Sequence, residues 1–458
     1  MDPIKLFGHA KEDRDGSPSI LTTDEARKRA ERLAELEKLE PISFEELERV
    51  VRKWLLVADV GIIKLIPALI VANMINRDPV WMVLIGPSGG GKTAFLNALF
   101  DLPMIVPISN LTTNTFMSGM QNRGETSLLP QINGKILVFK DWTTILSLNF
   151  DARNEIMAQL REIYDGRVKK VYGNGKVVDW SGKVGLLAGS TAAVDLAQQM
   201  HTTLGERFLQ YRITMPERQE VAKRVLFNNS QKEEMRKELS NAYFAFMKSI
   251  EVPADLPIVP EEVRHEIISL ADFSTKARSG VIRDSSFKKE VIYVPGAEMP
   301  TRPVEQLDSI GTSYMVVNNG KFIEEDMNTV YKIALDSIPQ TNKMVMMVMA
   351  AGDEQDTAEI AAALGYPTGP IRMYLENLAL LGVCKRIKAA DSMEGGTADK
   401  WTLHPEYVAI LRKYEKIKLV EERIKEEQEK MLDELDQPLD GGTAGEEAGG
   451  VAGNLFGD

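Results

Sequence analysis

At 458 residues the chain is about three times a typical domain length, so two to four folded units are expected, each able to bury a core. With 44% hydrophobic and 27% charged residues its composition is that of an ordinary soluble protein, and a single cysteine, Cys384, excludes an intramolecular disulfide framework, so a reducing cytoplasm fits best. The formal charge of −12 argues against a nucleic-acid partner only until it is located: residues 421–458 hold 12 acidic and 3 basic residues, a net of −9, which leaves −3 for the body and permits basic patches there.

The start, Met1-Asp2-Pro3-Ile4, lacks the basic-then-apolar order of a secretion signal, and the acidic residues after it argue against a transit peptide. Residues 1–20 read as a flexible start and Thr22 to Leu39, with a Thr/Asp cap and opposite charges at helical spacing, as a solvated helix. A second helical block covers Ser43 to Asn76. Its apolar part, Trp54 to Ile75, is long enough to span a bilayer, but Asp59, Lys64 and Pro67 interrupt it, which favours a buried helix or helix pair and no membrane contact.

Apolar runs then alternate with helical patterns: Val80 to Ile85, Met104 to Ile108, Lys135 to Phe139, Lys183 to Ala188 and Phe208 to Ile213. This predicts an α/β core with a parallel sheet covered by helices on both faces. Glu217 to Ile250 reads as helix, Glu290 to Val294 as an isolated apolar strand, and Val304 to Ile338 as helix again. From Lys343 to Leu411 come a helix, a short helix Thr357 to Leu364, a turn at Gly365 to Gly369, a longer helix Ile371 to Leu381, and the strands Val383 to Ile387 and Lys400 to Leu403, the order of a winged-helix module. A charged helix to Leu435 and an acidic disordered tail follow.

The segment Gly86-Pro87-Ser88-Gly89-Gly90-Gly91-Lys92-Thr93 fits GxxxxGK[ST] in full, after an apolar strand and before a helix, the context that marks a phosphate-binding loop. Its glycines let backbone N–H groups converge on phosphate oxygens beside a helix N-terminus. Lys92 is expected to bridge the β- and γ-phosphates of ATP and Thr93 to ligate Mg²⁺. A second metal-site element is expected at Lys135-Ile136-Leu137-Val138-Phe139-Lys140-Asp141. Either Asp141 is the metal-side carboxylate and the base lies elsewhere, with Glu162 and Glu125 as spare acids, or Asp141 is the base and Lys140 takes the metal-side position. Thr191, at a strand end, is placed to orient a water, with a plain strand-to-turn transition as the alternative. Gly173-Asn174-Gly175 between alternating stretches predicts a hairpin whose Lys169, Lys170 and Lys176 project near the tip, suited to a DNA backbone or simply to solubility. Arg207, at a strand entrance, and Arg212 within that strand are candidates to reach the γ-phosphate of a neighbouring subunit, or to form ordinary salt bridges.

In this order the parts resemble an AAA+ ATPase, and within that class the minichromosome-maintenance helicases and their relatives in phages and mobile elements, over about Trp54 to Leu411. The resemblance implies an AAA+ domain at 43–215 behind an N-terminal segment 1–42, a helical lid at 216–338, a winged helix at 339–412 and a charged tail at 413–458. It implies that Leu160 to Lys176 is a hairpin entering a central channel to touch DNA, that Thr191 is the sensor-one residue, that Arg207 is a trans-acting arginine finger and that Arg302 is the sensor-two arginine. It further implies a homo-oligomeric ring, expected to be hexameric, driven by ATP and Mg²⁺ and acting on single- or double-stranded DNA in replication. The sequence departs from the family at Lys140-Asp141, where an acid pair is usual, and in lacking a Cys/His cluster for an N-terminal zinc site. On the wing, Lys385, Arg386 and Lys388 are better DNA candidates than Arg372, which shares its helix with Glu376. Two other readings stand beside the helicase: a nucleotide-dependent initiator or loader that does not unwind, and a remodeller of protein partners recruited through the tail or through short peptides at Ile4 to Phe7 and Asn454 to Asp458.

Overall fold

The computed structural model describes residues 4–5, 23–58, 60–117, 128–173, 175, 177–195, 207–215, 217–284, 289–388 and 398–418. It opens with β1 (Ile4–Lys5), whose backbone pairs antiparallel with Val252 and Glu251, so two residues of the expected flexible start lie in a strand. The helix expected next is α1 (Thr23–Leu36), but it is docked rather than solvated all round. Arg29 donates to the carbonyls of Leu102 and Ile105, Arg32 reaches Asp101 at 3.0 Å, and Leu36 is fully buried. Long guanidinium stems let a charged helix face bind a neighbour, which charge periodicity alone does not show.

α2 (Phe44–Trp54), capped by the Ser43 hydroxyl, and α3 (Gly61–Met74) divide the second helical block at 55–60. Residues around most of α3 are buried, which is why it is apolar on every side. No helix among the described residues is long and apolar enough to cross a membrane.

Beyond them come β2 (Trp81–Ile85), α4 (Lys92–Ala98), β3 (Ile105–Ile108), β4 (Lys135–Phe139), α5 (Thr143–Leu146), α6 (Phe150–Tyr164), an antiparallel hairpin of β5 (Arg167–Val171) and β6 (Val177–Ser181), β7 (Val184–Ser190) and β8 (Phe208–Arg212). β2, β3, β4, β7 and β8 form one parallel sheet in the order β3-β4-β7-β2-β8. Every residue of β2 and β7 is buried, as a sheet covered on both faces requires. Met82, Leu84 and Val138 pack into one core with α3 and α4; Trp81, Val83 and Phe139 pack into a second with α6. All five strands therefore end at one edge, and the chain leaves β2 toward β3 on one side while β8 returns on the other.

Helices α7 (Arg218–Phe227) and α8 (Lys232–Ser249), strand β9 (Glu251–Val252) and helix α9 (Glu261–Arg278) follow. The apolar strand expected at Glu290–Val294 is one arm of a second hairpin, β10 (Ile282–Arg283) and β11 (Val291–Tyr293), and its side chains are exposed. α10 (Thr301–Val317) packs on α3 and leads to α11 (Glu324–Asp336). The C-terminal unit comprises α12 (Gln340–Ala351), β12 (Gln355–Asp356), α13 (Thr357–Leu364), α14 (Thr368–Leu380), β13 (Cys384–Ile387), β14 (Lys400–Leu403) and a helix through residues 405–418. Its strands form a small antiparallel sheet, β12-β14-β13. α13 begins with a reciprocal cap: Asp356 accepts from the N–H of Glu359 at 2.9 Å, and Glu359 accepts from the N–H of Asp356 at 2.8 Å. The expected tail after residue 418 lies outside the described residues.

Asp336 ties these parts together. It is fully buried and accepts from Lys343 of α12 at 2.6 Å, from the backbone N–H of Arg212 in β8 at 2.7 Å and from the Tyr414 hydroxyl at 3.4 Å; Lys332 lies 3.7 Å away. Burial pushes its carboxyl up, but the charges of Lys332 and Lys343 outweigh burial and leave it below its ordinary value. Asp336→Ala is expected to lose about 3–5 kcal/mol in denaturant unfolding, because Lys343 is then buried unpaired. Asp336→Asn, which keeps acceptors, should lose less, and a loss below about 1 kcal/mol for the alanine variant would mean the cluster is not structural.

Candidate functional site

The glycine-rich segment lies where β2 ends and α4 begins, at the edge where the parallel strands terminate. Its bends need glycine: Gly89 and Gly91 have φ of +79° and +78°, where a side chain is strained. Lys92 folds over the loop and donates to the carbonyls of Gly86 at 2.6 Å and Pro87 at 2.7 Å. Burial pulls its ammonium down from the ordinary lysine value, and the Asp141 carboxylate opposes that shift. Ser88 and Thr93 are exposed on the same loop.

Three neighbouring strand ends converge on it. Asp141 follows β4, exposed, and accepts from the N–H of Thr143 at 2.9 Å. Lys140 instead lies 4.8 Å from the centre of the Phe100 ring. Thr191 follows β7; the Ser190 carbonyl accepts from the N–H of Gly86 at 3.2 Å, and the buried Ser190 hydroxyl has no hydrogen-bond partner among the described residues. Sequence reading passed over Ser190 because its strand pattern is that of any core residue. Arg212, at the end of β8, is clamped by Asp195 at 2.5 and 3.0 Å. Among the described residues no cluster of three or more His, Cys, Asp or Glu forms a metal cage. Thr93 and Asp141 therefore fit only a cation that takes most of its ligands from phosphate and water.

Beside the loop opens an apolar cavity of about 170 Å³, lined among others by Leu55, Val57, Gly90, Met215, Val221 and Val225. The sequence reading missed it, since residues 55–57 looked like the continuation of a helix. The interruption between α2 and α3, together with α7, which follows β8, creates the slot. Its apolar lining suits a flat apolar group.

Arg207 sits elsewhere. It precedes β8, whose five residues span about 16 Å, so it lies at the opposite edge of the sheet from the loop. There its guanidinium holds Asp165 at 2.9 and 3.0 Å and rests 5.5 Å from the centre of the Tyr164 ring. Arg302 faces the same ring at 5.8 Å and bonds Glu298 at 2.5 Å, while Arg278 reaches Glu298 at 3.4 Å. Tertiary folding thus gathers Arg207 and Arg302, almost a hundred residues apart, into one cluster; Arg278, Tyr164 and Glu298 carry no motif. Glu162, one turn before Asp165 on α6, belongs to this edge and is no acid for the loop of its own chain. Glu125 lies outside the described residues.

The hairpin forms where Gly173 to Gly175 predicts it, with Lys170 and Lys169 in β5, in the second and third pairs from the turn. Lys169 faces Asp179 at 3.3 Å and Lys170 lies 3.8 Å from Glu155; Lys176 is outside the described residues. The end of the hairpin presents Val171 and Val177, paired across the strands and both exposed. In the C-terminal unit Arg372 is held by Glu376, which also receives Arg283 at 3.3 Å, and Arg386 is held by Asp399. Lys385 and Lys388 remain exposed.

Compared with known proteins, the chain matches no family model, and no curated protein is significantly similar to it. The site's two parts are separable by experiment. Val221→Trp, which fills the cavity, should weaken a base-bearing triphosphate about tenfold, or about 1.4 kcal/mol, in calorimetry, and leave inorganic tripolyphosphate unchanged. Equal losses for both would mean that the cavity is not a subsite.

Proposed function

We propose that this chain is an AAA+ ATPase that binds ATP and Mg²⁺ at Gly86–Thr93 and works as a homo-oligomeric ring on DNA. The observation that carries the reading is the separation of the site into halves. Loop, Lys92, Asp141 and Thr191 share the edge where the strands end, at the point where the strand order switches direction and α/β sheets bind ligands. The arginine cluster occupies the opposite edge. One copy cannot bring its own Arg207 to its own loop, but a head-to-tail neighbour can.

In this reading the loop amides and Lys92 hold the polyphosphate, and the apolar cavity takes the base. Thr93 and Asp141 are the residues that would hold Mg²⁺, which when bound neutralises phosphate charge. Thr191, with the Ser190 hydroxyl behind it, orients the water. Arg207 and Arg302 of the next copy stabilise charge on the transferring group, and Asp165, Glu298 and Tyr164 hold both guanidinium groups in readiness. Supply from the neighbour makes assembly a condition of turnover.

The hairpin carries the DNA contact. Its ion pairs Lys169–Asp179 and Lys170–Glu155 are long and exposed, worth about 0–1 kcal/mol each, so a phosphate can displace either carboxylate. The C-terminal unit, read as a winged helix, is a weaker candidate because Arg372 and Arg386 are already neutralised. Lys140 in place of an acid favours a second reading, a nucleotide-dependent initiator or loader that assembles on DNA without unwinding it.

Lys92→Ala should abolish ATP binding; undiminished affinity would contradict the site. Arg207→Ala should keep binding and lose hydrolysis by about 10³-fold or more, and mixing it with Lys92→Ala subunits should restore turnover. Turnover unchanged in Arg207→Ala would reject the divided site. ATPase rates measured with and without single- and double-stranded DNA, beside a strand-displacement assay, separate the readings: stimulation with displacement selects the motor, and no stimulation selects the switch. Lys169→Ala with Lys170→Ala should weaken DNA binding and flatten its salt dependence, and unaltered affinity would remove the hairpin from the interface.

A further inference from the structure

Two apolar patches remain exposed on the faces that the divided site brings together. On the hairpin of β10 and β11, Val291, Ile292 and Tyr293 are 41%, 66% and 58% exposed; on α7, Val225 and Leu226 are 54% and 75% exposed. Single exposed apolar residues are ordinary, whereas neighbouring ones mark contact surfaces.

Each patch is anchored to one half of the site. Arg278 and Glu298, which flank the hairpin segment in sequence, bond to each other at 3.4 Å, and Glu298 also binds Arg302 of the arginine cluster. Ile282 follows Arg278 by four residues, at most about 14 Å of extended chain, so the hairpin springs from beside that cluster. It is held at its turn end: the Arg283 guanidinium donates to Asn377 at 2.9 Å, to Glu376 at 3.3 Å and to the Lys289 carbonyl at 2.8 Å. Val225, for its part, lines the cavity together with Gly89, Gly90 and Gly91.

We propose that the β10–β11 hairpin of one copy docks on α7 of the next, around Val225 and Leu226, and closes the cavity beside the glycine-rich loop. The proposal rests on the divided site, because the occupant is the copy whose Arg207 arrives at that loop. Two unlike patches that meet once per interface make a head-to-tail contact, which goes on adding copies until a ring closes, whereas a two-fold dimer would form the same pair twice, or set a patch against itself, and stop at two copies. A hairpin already fixed at its turn end loses little freedom on docking. Because the contact roofs the cavity, subunit association and base binding reinforce each other.

The test uses the full chain, whose native Cys384 is buried and whose thiol burial pushes up to about 12, so it does not compete. Ile292→Cys and Leu226→Cys are introduced singly and together, and a short bismaleimide is added with ATP and Mg²⁺ present. Support is a ladder of covalent multimers from the double variant, a dimer from mixed singles, and monomer from either single alone. Strong self-linking of Ile292→Cys alone would overturn the proposal in favour of a two-fold contact. So would the absence of links in a double variant that sediments as an oligomer, a result that leaves the divided site standing. If no nucleotide condition gives an oligomer, both ideas fall. Independently, Tyr293→Ser should raise the concentration for half-assembly at least about tenfold with an unchanged circular dichroism spectrum. An unchanged assembly midpoint would overturn the proposal as well.

Discussion

A carboxylate sits in an apolar interior only if cations and donors reach it, and Asp336 is reached from several parts of the chain at once. β8 supplies a backbone N–H, α12 an ammonium and the helix at 405–418 a hydroxyl. None of these satisfies the charge alone, so the sheet, the helices after it and the C-terminal unit hold one arrangement. The cluster adjoins the candidate site as well. Lys332 donates to Thr214 at 3.3 Å, and Met215, the next residue, lines the cavity with Gly90. Residues that follow β8 thus touch both the loop and the buried charge that fixes the C-terminal unit.

In the proposed function, parallel strands explain why the site is divided. Because all five run the same way, everything that follows a strand collects at one edge and everything that precedes one collects at the other. Lys92, Asp141 and Thr191 follow strands; Arg207 precedes one. In the proposed function the need for a neighbour follows from strand polarity. The arginines are not left free meanwhile: Asp165, Glu298 and the Tyr164 face give them partners and a fixed direction.

Charge on the remaining surfaces is mostly balanced locally. Lys169, Lys170, Arg372 and Arg386 each have a carboxylate nearby, which fits a body whose net charge is close to neutral. Where those pairs are exposed they are weak, and exchange with phosphate is cheap. Exposure therefore matters more than the number of lysines in judging which face could hold nucleic acid.

Much of the fold could be read from one dimension because its causes are local. Apolar runs marked the core strands to within a few residues, the turn glycines marked the β5–β6 hairpin, and GxxxxGK[ST] placed the loop, since each depends on neighbours in sequence. The docking of α1, the exposure of β11 and the gap between α2 and α3 that opens the cavity were hidden, because each depends on what another segment leaves uncovered. The meeting of Arg207 with Arg302 around Tyr164, and of Asp336 with its cations, joins residues far apart along the chain. Sequence determined which groups could bind phosphate or carry charge; only tertiary structure, by bringing distant segments within bonding distance, decided which of them act together.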